Sequence, residues 1–338
     1  MLGVYWLAER HLRGTRVFKT TVAPGQIPSI SGLAWNNFLS SEWNMQSVLV
    51  TGVSTGIGWG ITKVLIAHGY RVFGSVRREE DANRLVAEFG AAFVPVLFDV
   101  TDEEKVHAAA KQVQEQLHGE TLLGLVNNAG IAVPGPLMHL PIQDFRKQIE
   151  VNLIGQLIVT QAFLPLLGAE LAPKGKPGRI INIGSSSGKA GSPFLGAYSA
   201  SKHALEGFSE SLRRELMLYG IDVILVGPGP VVTPIWDKAE QMDLSLYKDT
   251  DFMQPALKFQ KYALENGRNG YPPEKVGEVV LHALTASKPR VRYAVVRGNP
   301  IMLFFEDILP RRFIDGIVAK NLGLKPRSQA AGAVKTSD

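Results

Sequence analysis

From Ser47 onward the chain alternates short apolar runs with longer amphipathic stretches, and few folds tolerate that alternation. Each run has to be sheathed by the stretch that follows it, which is the pattern of successive strand–helix–strand units. The candidate strands are SVLVT at 47–51, YRVFGSV at 70–76, AAFVPVLFD at 91–99, LLGLVN at 122–127, GRIINIG at 178–184, DVILVG at 222–227 and RYAVV at 292–296. Helical segments fall between them at 57–68, 79–89, 102–118, 141–167, 196–219 and 273–287. Right-handed crossovers make such a sheet parallel and cover both of its faces. The expected class is therefore α/β: a doubly wound parallel sheet of about seven strands with helices on both faces.

Two stretches interrupt the rhythm. APKGKPG at 172–178 reads as a polar surface loop, and 234–272 is an interruption that holds Trp236, Met242, Leu244, Leu246, Tyr247, Phe252, Met253 and Phe259, too apolar for a plain linker. Long excursions of that kind serve as lids or binding loops, so 234–272 is expected to be a substrate loop. Residues 1–44 carry no clear period and are punctuated by Pro24, Gly25, Pro28 and Gly32. They read as an appendage: a tail without fixed structure, an upstream extension with Met45 as the working start, or a loosely transit-like segment with Arg10, Arg13, Arg16 and Lys19. The division expected is 1–44 as that extension, 45–300 as one Rossmann-type unit, and 301–338 as a C-terminal helical extension and tail.

Composition narrows the function classes. With no cysteine, disulfides, thiolate catalysis and Cys-ligated zinc are excluded. The net charge of +5 comes from basic residues spread along the chain, which argues against a nucleic-acid partner. No run of roughly 18 apolar residues suggests a membrane span, and the expected location is cytoplasmic, with organellar and peripheral-membrane placements as alternatives.

TGVSTGIG, Thr51 to Gly58, directly follows an apolar strand and directly precedes a helical pattern. Gly52, Gly56 and Gly58 then sit where backbone approaches a pyrophosphate and a helix N-terminus faces the anion. That context makes the loop a dinucleotide cradle on a Rossmann-type sheet. The next strand runs into SVRREED, with no carboxylate to pair with a ribose 2′-hydroxyl. Arg77, with Arg78 in support, offers a guanidinium for a 2′-phosphate instead. The competing reading leaves both arginines solvated and neutralised by Glu79, Glu80 and Asp81. NADP(H) is preferred, with NAD(H) open.

Tyr198 and Lys202 form a YxxxK pair, four residues apart on a helix and so on one face. A cation beside a phenol favours the phenolate and brings it toward acid–base use near neutrality. Ser185 lies in the loop leaving GRIINIG, at the carboxyl edge where open sheets place ligands; its hydroxyl could bond a substrate oxygen, although Ser186 competes for that part.

TGVSTGIG, NNAG at 127–130, Asn152 in EVNLIG, NIGSSSG at 182–188, YSASK at 198–202 and GPGPVVT at 227–233 resemble, in order and spacing, the motif series of the short-chain dehydrogenase/reductase family. The resemblance covers about 46–297 and implies a catalytic set of Tyr198 as general acid/base, Lys202 lowering its pKa and binding the nicotinamide ribose, Ser185 orienting the substrate oxygen and Asn152 holding a proton-relaying water. It further implies a cofactor held along Gly52, Ser54, Thr55, Gly56, Ile57 and Gly58, with Arg77 at the 2′-phosphate and Asp99 and Val100 at the adenine. Asn127, Ala129 and Gly130 would line the cleft, and Pro228, Gly229, Val231 and Thr233 would cover the nicotinamide. Two departures stand out: Gly184 replaces a serine the family often carries, and Pro230 is an extra proline in the last motif.

SVRREED, LLGLVNNAG, FSESLRRELMLYGIDV and PRVRYAVV resemble the hydroxysteroid and retinol dehydrogenase branch most. That implies a bulky apolar alcohol or carbonyl as the small-molecule substrate and a homodimer or homotetramer built through the helices at 141–167 and 196–219. A catalytically idle NADP(H)-binding scaffold or sensor is the alternative from another class. The stretch 299–324, with Arg311, Arg312 and Lys320, is expected to pack over the pocket or at a subunit interface, with membrane-surface contact as its alternative.

Overall fold

The computed structural model describes residues 45–169, 175–241, 243–297 and 309–324. The appendage at 1–44, residues 172–174 of the surface loop, Met242, residues 298–300, and the stretches 301–308 and 325–338 of the C-terminal extension lie outside those residues.

All seven expected strands form: β1 Ser47–Val50, β2 Arg71–Val76, β3 Phe93–Leu97, β4 Gly124–Asn127, β5 Arg179–Ile183, β6 Asp222–Pro228 and β7 Arg292–Val295. They make one sheet in the order 3-2-1-4-5-6-7, with every pairing parallel. Strand side chains alternate between faces, so one chain run builds two cores. Leu49, Phe73, Val96, Leu125 and Ile180 share one buried cluster; Val48, Val50, Val72, Val126 and Ile181 share the other. Both faces are apolar because both are covered.

The helices are α1 Gly56–Ala67, α2 Glu79–Phe89, α3 Glu103–Leu117, α4 Ile142–Ile149, α5 Gly155–Phe163, α6 Gly196–Glu215, α7 Ile235–Glu240, α8 Met253–Arg268, α9 Pro273–Thr285 and α10 Arg311–Leu322. Local chemistry starts several of them. Asp102 caps α3 by accepting from the Lys105 N–H at 3.1 Å, and Glu79, Glu80 and Asp81 sit in the first turn of α2, against the positive end of its dipole.

Two expectations need correction. The single helix expected over 141–167 is broken by a π turn at Glu150–Ile154 and ends in a 3-10 turn at Leu164–Leu167. By length and composition the run Ile142–Leu167 is apolar enough to cross a membrane, yet 44% of that window is buried inside the protein, as in a core helix. The excursion at 234–272 is no open loop: α7, a 3-10 turn at Leu244–Tyr247 and α8 fill most of it. Pro255 stands in the first turn of α8, where a missing N–H is harmless. Ala256 and Phe259, three residues apart, give α8 a buried stripe. It packs with Phe194, Leu244, Tyr247 and Leu322 in a third apolar cluster.

The strand order reverses between β1 and β4, because the chain leaves β1 toward β2 and β3 and then returns to the other side. Such a switch point opens a crevice at the carboxyl ends of the strands.

Candidate active site

The crevice is walled first by backbone. Gly52 and Gly56 have φ of +69° and +62°, values an L side chain rarely adopts. At Gly58 an added Cβ would lie 2.2 Å from the Gly52 carbonyl oxygen and 2.5 Å from Asn128 Nδ2, so no side chain fits. Polar bonds lock the loop. The Gly52 N–H donates to Ser75 Oγ at 2.9 Å, and Thr51 Oγ1 accepts from the Asn128 and Ala129 N–H groups, both at 2.9 Å. Asn128 Nδ2 donates back to the Thr51 and Gly52 carbonyls at 2.8 and 3.1 Å. Helix α1 begins here; its N-cap Thr55 makes no side-chain cap and its first turn holds no acidic residue. The positive end of α1 is therefore bare and suited to a phosphate.

Other expected cofactor residues stand around this loop. Thr233 lies over Gly56, where a Cβ would meet its Cγ2 at 3.3 Å. Gly229 is tied to β7 by its N–H on the Val295 carbonyl at 3.0 Å, and Val231 accepts from Trp236 Nε1 at 2.7 Å. Pro228 ends β6. Ile57 joins a core cluster, and Val100 is buried against Gly155. Ser54 accepts through its carbonyl from Arg84 Nη2 at 2.6 Å, a basic neighbour that the sequence reading missed. Arg77 Nη1 lies 3.6 Å from Asp99 Oδ2, while Arg78 binds Asp81 at 3.0 Å, so only Arg78 follows the neutralised reading. Burial pushes the Asp99 carboxyl up, but bonds from Thr101 and the nearby Arg77 outweigh it and hold it below the usual carboxylate range.

Deeper in, the walls are polar side chains. Asn127 and Asn152 are both fully buried. Asn127 Nδ2 donates to Thr160 Oγ1 and Asn182 Oδ1, each at 3.0 Å, and Asn182 Nδ2 donates to Ser209 Oγ at 2.9 Å. Asn152 sits in the π turn, a device often found at functional sites. Its Oδ1 accepts from the Ile131 N–H at 2.8 Å; its Nδ2 donates to the Ile131 carbonyl at 3.0 Å and Ser201 Oγ at 3.1 Å. Ser201 in turn donates to the Tyr198 carbonyl at 2.7 Å, so Asn152 is joined to the helix that carries the tyrosine. One turn earlier Gln148 holds the same loop, donating to the Ile131 carbonyl and accepting from the Val133 N–H. Gly130 packs on Asn152 Oδ1. Gln148 and Ser201 were not foreseen. Ser201 lay inside YSASK, but its polar partners come from distant loops.

Helix α6 presents Tyr198 and Lys202. The Ser185 hydroxyl is a polar neighbour of the Tyr198 phenol. Ser185 also accepts from the Ser187 N–H at 3.1 Å, which fixes its place at the end of β5. Lys202 is 4% exposed; its Nζ donates to the Ile183 carbonyl at 2.7 Å and lies 5.8 Å from the Tyr198 ring centroid. Burial lowers the Lys202 ammonium to about 8. Burial pushes the Tyr198 phenol above its ordinary value. The protein interior disfavours both charged forms, and the Ser185 hydroxyl pulls the phenol the other way. Among the described residues no group of three or more His, Asp or Glu could hold a metal ion.

Ser185, Tyr198 and Lys202 thus meet at the sheet edge, with Asn152 linked to them through Ser201. A hydroxyl pair beside a buried ammonium and a glycine cradle can bind a carbonyl or carbinol oxygen and move one proton at it.

The family model described as short chain dehydrogenase matches residues 46–244. The chain is 41% identical over 278 residues to the NADPH-dependent 3-dehydrocapnine reductase of Ornithobacterium rhinotracheale, covering 82% of this chain and 98% of that protein. It is 33% identical to retinol dehydrogenase 16 of Homo sapiens, covering 80% and 87%. Among solved structures, a closed form of serine dehydrogenase complexed with NADP+ aligns with a TM-score of 0.63 at 26% identity, over 75% of this chain and 95% of that one.

Proposed function

Starting from the fact that this chain belongs to the short-chain dehydrogenase/reductase family, and so is an NAD(P)-dependent oxidoreductase, we propose that it interconverts a bulky apolar alcohol and its ketone or aldehyde with NADP(H). The observation that carries this reading is the buried Lys202, bonded to the Ile183 carbonyl at the end of β5 with its ammonium 5.8 Å from the Tyr198 ring, and Ser185 beside the phenol.

The cradle and the bare end of α1 fit the pyrophosphate, Arg77 the 2′-phosphate, and Thr233 with Gly229 the nicotinamide side. When bound, NADP(H) supplies or accepts the hydride. The chain's own groups do the rest. In reduction Ser185 Oγ donates a hydrogen bond to the substrate oxygen, and Tyr198 Oη gives that oxygen its proton; in oxidation the proton returns to Tyr198. Lys202 places a cation beside the phenol, so that the phenolate left after proton transfer is not isolated. Asn152 would hold the relaying water that returns a proton from solvent. Leu137, Met138 and Leu246 are exposed, and Phe194, Tyr247 and Phe252 belong to one apolar cluster, which supports an apolar substrate wall. The name 3-dehydrocapnine reductase supports the NADPH preference and the carbonyl-reducing direction. Ile154 and Leu157, exposed along the α4–α5 run, and Met217 and Leu218, exposed in the 3-10 turn that follows α6, support a homodimer or homotetramer.

NADPH and NADH oxidation by the purified protein against steroid ketones, retinal and medium aliphatic carbonyls tests the proposal, with Tyr198→Phe as control. Turnover with NADPH that vanishes in the mutant is expected. NADPH binding without turnover of any carbonyl, or of any alcohol with NADP+, overturns it in favour of a scaffold.

A further inference from the structure

Tyr198 stands in the first turn of α6, and the backbone leading into that turn is unusual. Phe194 has φ +64°. For a bulky residue this is a genuine outlier, which persists only where the surroundings over-determine it and which gathers at functional sites. Here the surroundings can be named. The Phe194 carbonyl accepts from the Gly135 N–H at 2.7 Å, and Leu195 pairs with Gly135 in an isolated parallel bridge. The ring is 5% exposed and meets Phe252 edge-on at 6.2 Å and Phe259 at 5.4 Å. Phe252 is met edge-on by His139 at 5.5 Å, and Gly135 lies under the Tyr247 hydroxyl, 2.8 Å from where a Cβ would sit. On the other side, the Leu195 carbonyl accepts from the Ser199 N–H at 2.8 Å, the bond that starts the catalytic helix.

We propose that Phe194 is a positioning residue through which the aromatic segment 244–259 fixes the first turn of α6, and with it the Tyr198 hydroxyl. The ring is gripped by the segment that walls the substrate side, and the carbonyl is gripped by the loop after β4. The strained backbone between those two grips feeds directly into Tyr198. A displaced 244–259 segment therefore reaches the reacting hydroxyl without touching it. The proposal rests on the acid–base reading of Tyr198, but its first readout does not.

The test is hydrogen exchange of the full chain with NADPH bound, read over 199–205, in Phe194→Ala and Phe252→Ala. Each variant is expected to speed exchange there about tenfold or more, with the strands at 47–76 unchanged. Phe194→Gly relieves the positive-φ strain, so its melting temperature should exceed that of Phe194→Ala while exchange at 199–205 stays fast. On whichever carbonyl of the panel is turned over, kcat should fall about tenfold at unchanged KM for NADPH, and the double variant Phe194→Ala/Phe252→Ala should be no worse than either single. Unchanged exchange at 199–205 in Phe252→Ala, or a Phe194→Gly variant with full protection and full turnover, overturns the proposal. If Phe194→Ala fails to fold, Phe252→Ala, which leaves the strained backbone intact, still decides it. If the wild-type protein turns over no carbonyl, the functional reading fails and the exchange pattern stands alone.

Discussion

The two ends of the cleft are made of different material. At the β1–β4 end the wall is backbone: Gly52 and Gly56 hold positive φ, Gly58 leaves no room for a Cβ, and hydrogen bonds with Thr51, Ser75 and Asn128 fix the loop. At the 244–259 end the wall is side chain, an apolar cluster of Phe194, Leu244, Tyr247 and Phe259 held by packing. A backbone wall admits one shape and suits an invariant ligand such as a dinucleotide. A side-chain wall can be repacked at similar stability, which suits a ligand that differs between relatives. Where the two meet stand Ser185, Tyr198 and Lys202, and changes there should have the largest effects.

Tyr198→Phe removes the proton donor and keeps the ring. Turnover should fall by about 10²–10⁴, with NADPH affinity, measured by its fluorescence, unchanged. A parallel loss of NADPH affinity would mean that the junction also belongs to the backbone end, and the contrast drawn above would fail.

Lys202→Met probes the same junction through stability. In the fold the ammonium has a pKa of about 8, against 10.5 for a free lysine. Below pH 8 native and unfolded chains are both protonated, and the fold bears the whole cost of burying the charge, about 3 kcal/mol at most. Between pH 8 and 10.5 the native state releases its proton first, and that cost fades. Methionine carries no proton, so the variant should be about 1–3 kcal/mol more stable than the parent at pH 7, after allowing for the lost bond to the Ile183 carbonyl. The gain should shrink by pH 10, while turnover is lost at both. Urea denaturation at the two pH values measures it; a difference independent of pH would show that packing, not the buried charge, is responsible.

Gly58→Ala attacks the backbone wall alone. With a Cβ forced to 2.2 Å from a carbonyl oxygen, the loop must shift, at about 1–3 kcal/mol in stability. NADPH affinity, by titration calorimetry, should weaken more than the melting temperature suggests. An alanine tolerated with full affinity would show that the loop is more plastic than its bonds imply.

The same division decides what could be read from the sequence. Backbone walls demand glycine at fixed places, so TGVSTGIG announced its own geometry, and the strands carried runs buried on both faces. YxxxK was visible because both residues lie on one helix. The side-chain wall was legible as an apolar excursion at 234–272, but its helices were not, because its apolar residues pack on Phe194 and Leu322 from elsewhere in the chain. Ser201 and Arg84 act through partners 49 and 30 residues away, and no local pattern marks such pairs. The strain at Phe194 is set by Gly135 and Phe252, contacts that exist only once the sheet has brought three loops together.

Arg77 gives the smallest expected effect and the sharpest question about the backbone end, because it is the one expected cofactor contact there made by a long, exposed side chain. It is 73% exposed and reaches Asp99 only at 3.6 Å, so water and salt screen it in the free protein. A 2′-phosphate would give it a doubly charged partner in fork geometry. Arg77→Ala should therefore raise the Kd for NADPH about tenfold, roughly 1.4 kcal/mol, leave NADH binding unchanged, and lose less at high ionic strength than at low. Equal losses for the two nucleotides would take Arg77 away from the phosphate and place its role in holding Asp99. A loss that appears only when Arg84 is also replaced would mean that the Ser54 loop, gripped by Arg84, selects the cofactor, and that the backbone end is tuned from the side-chain shell behind it.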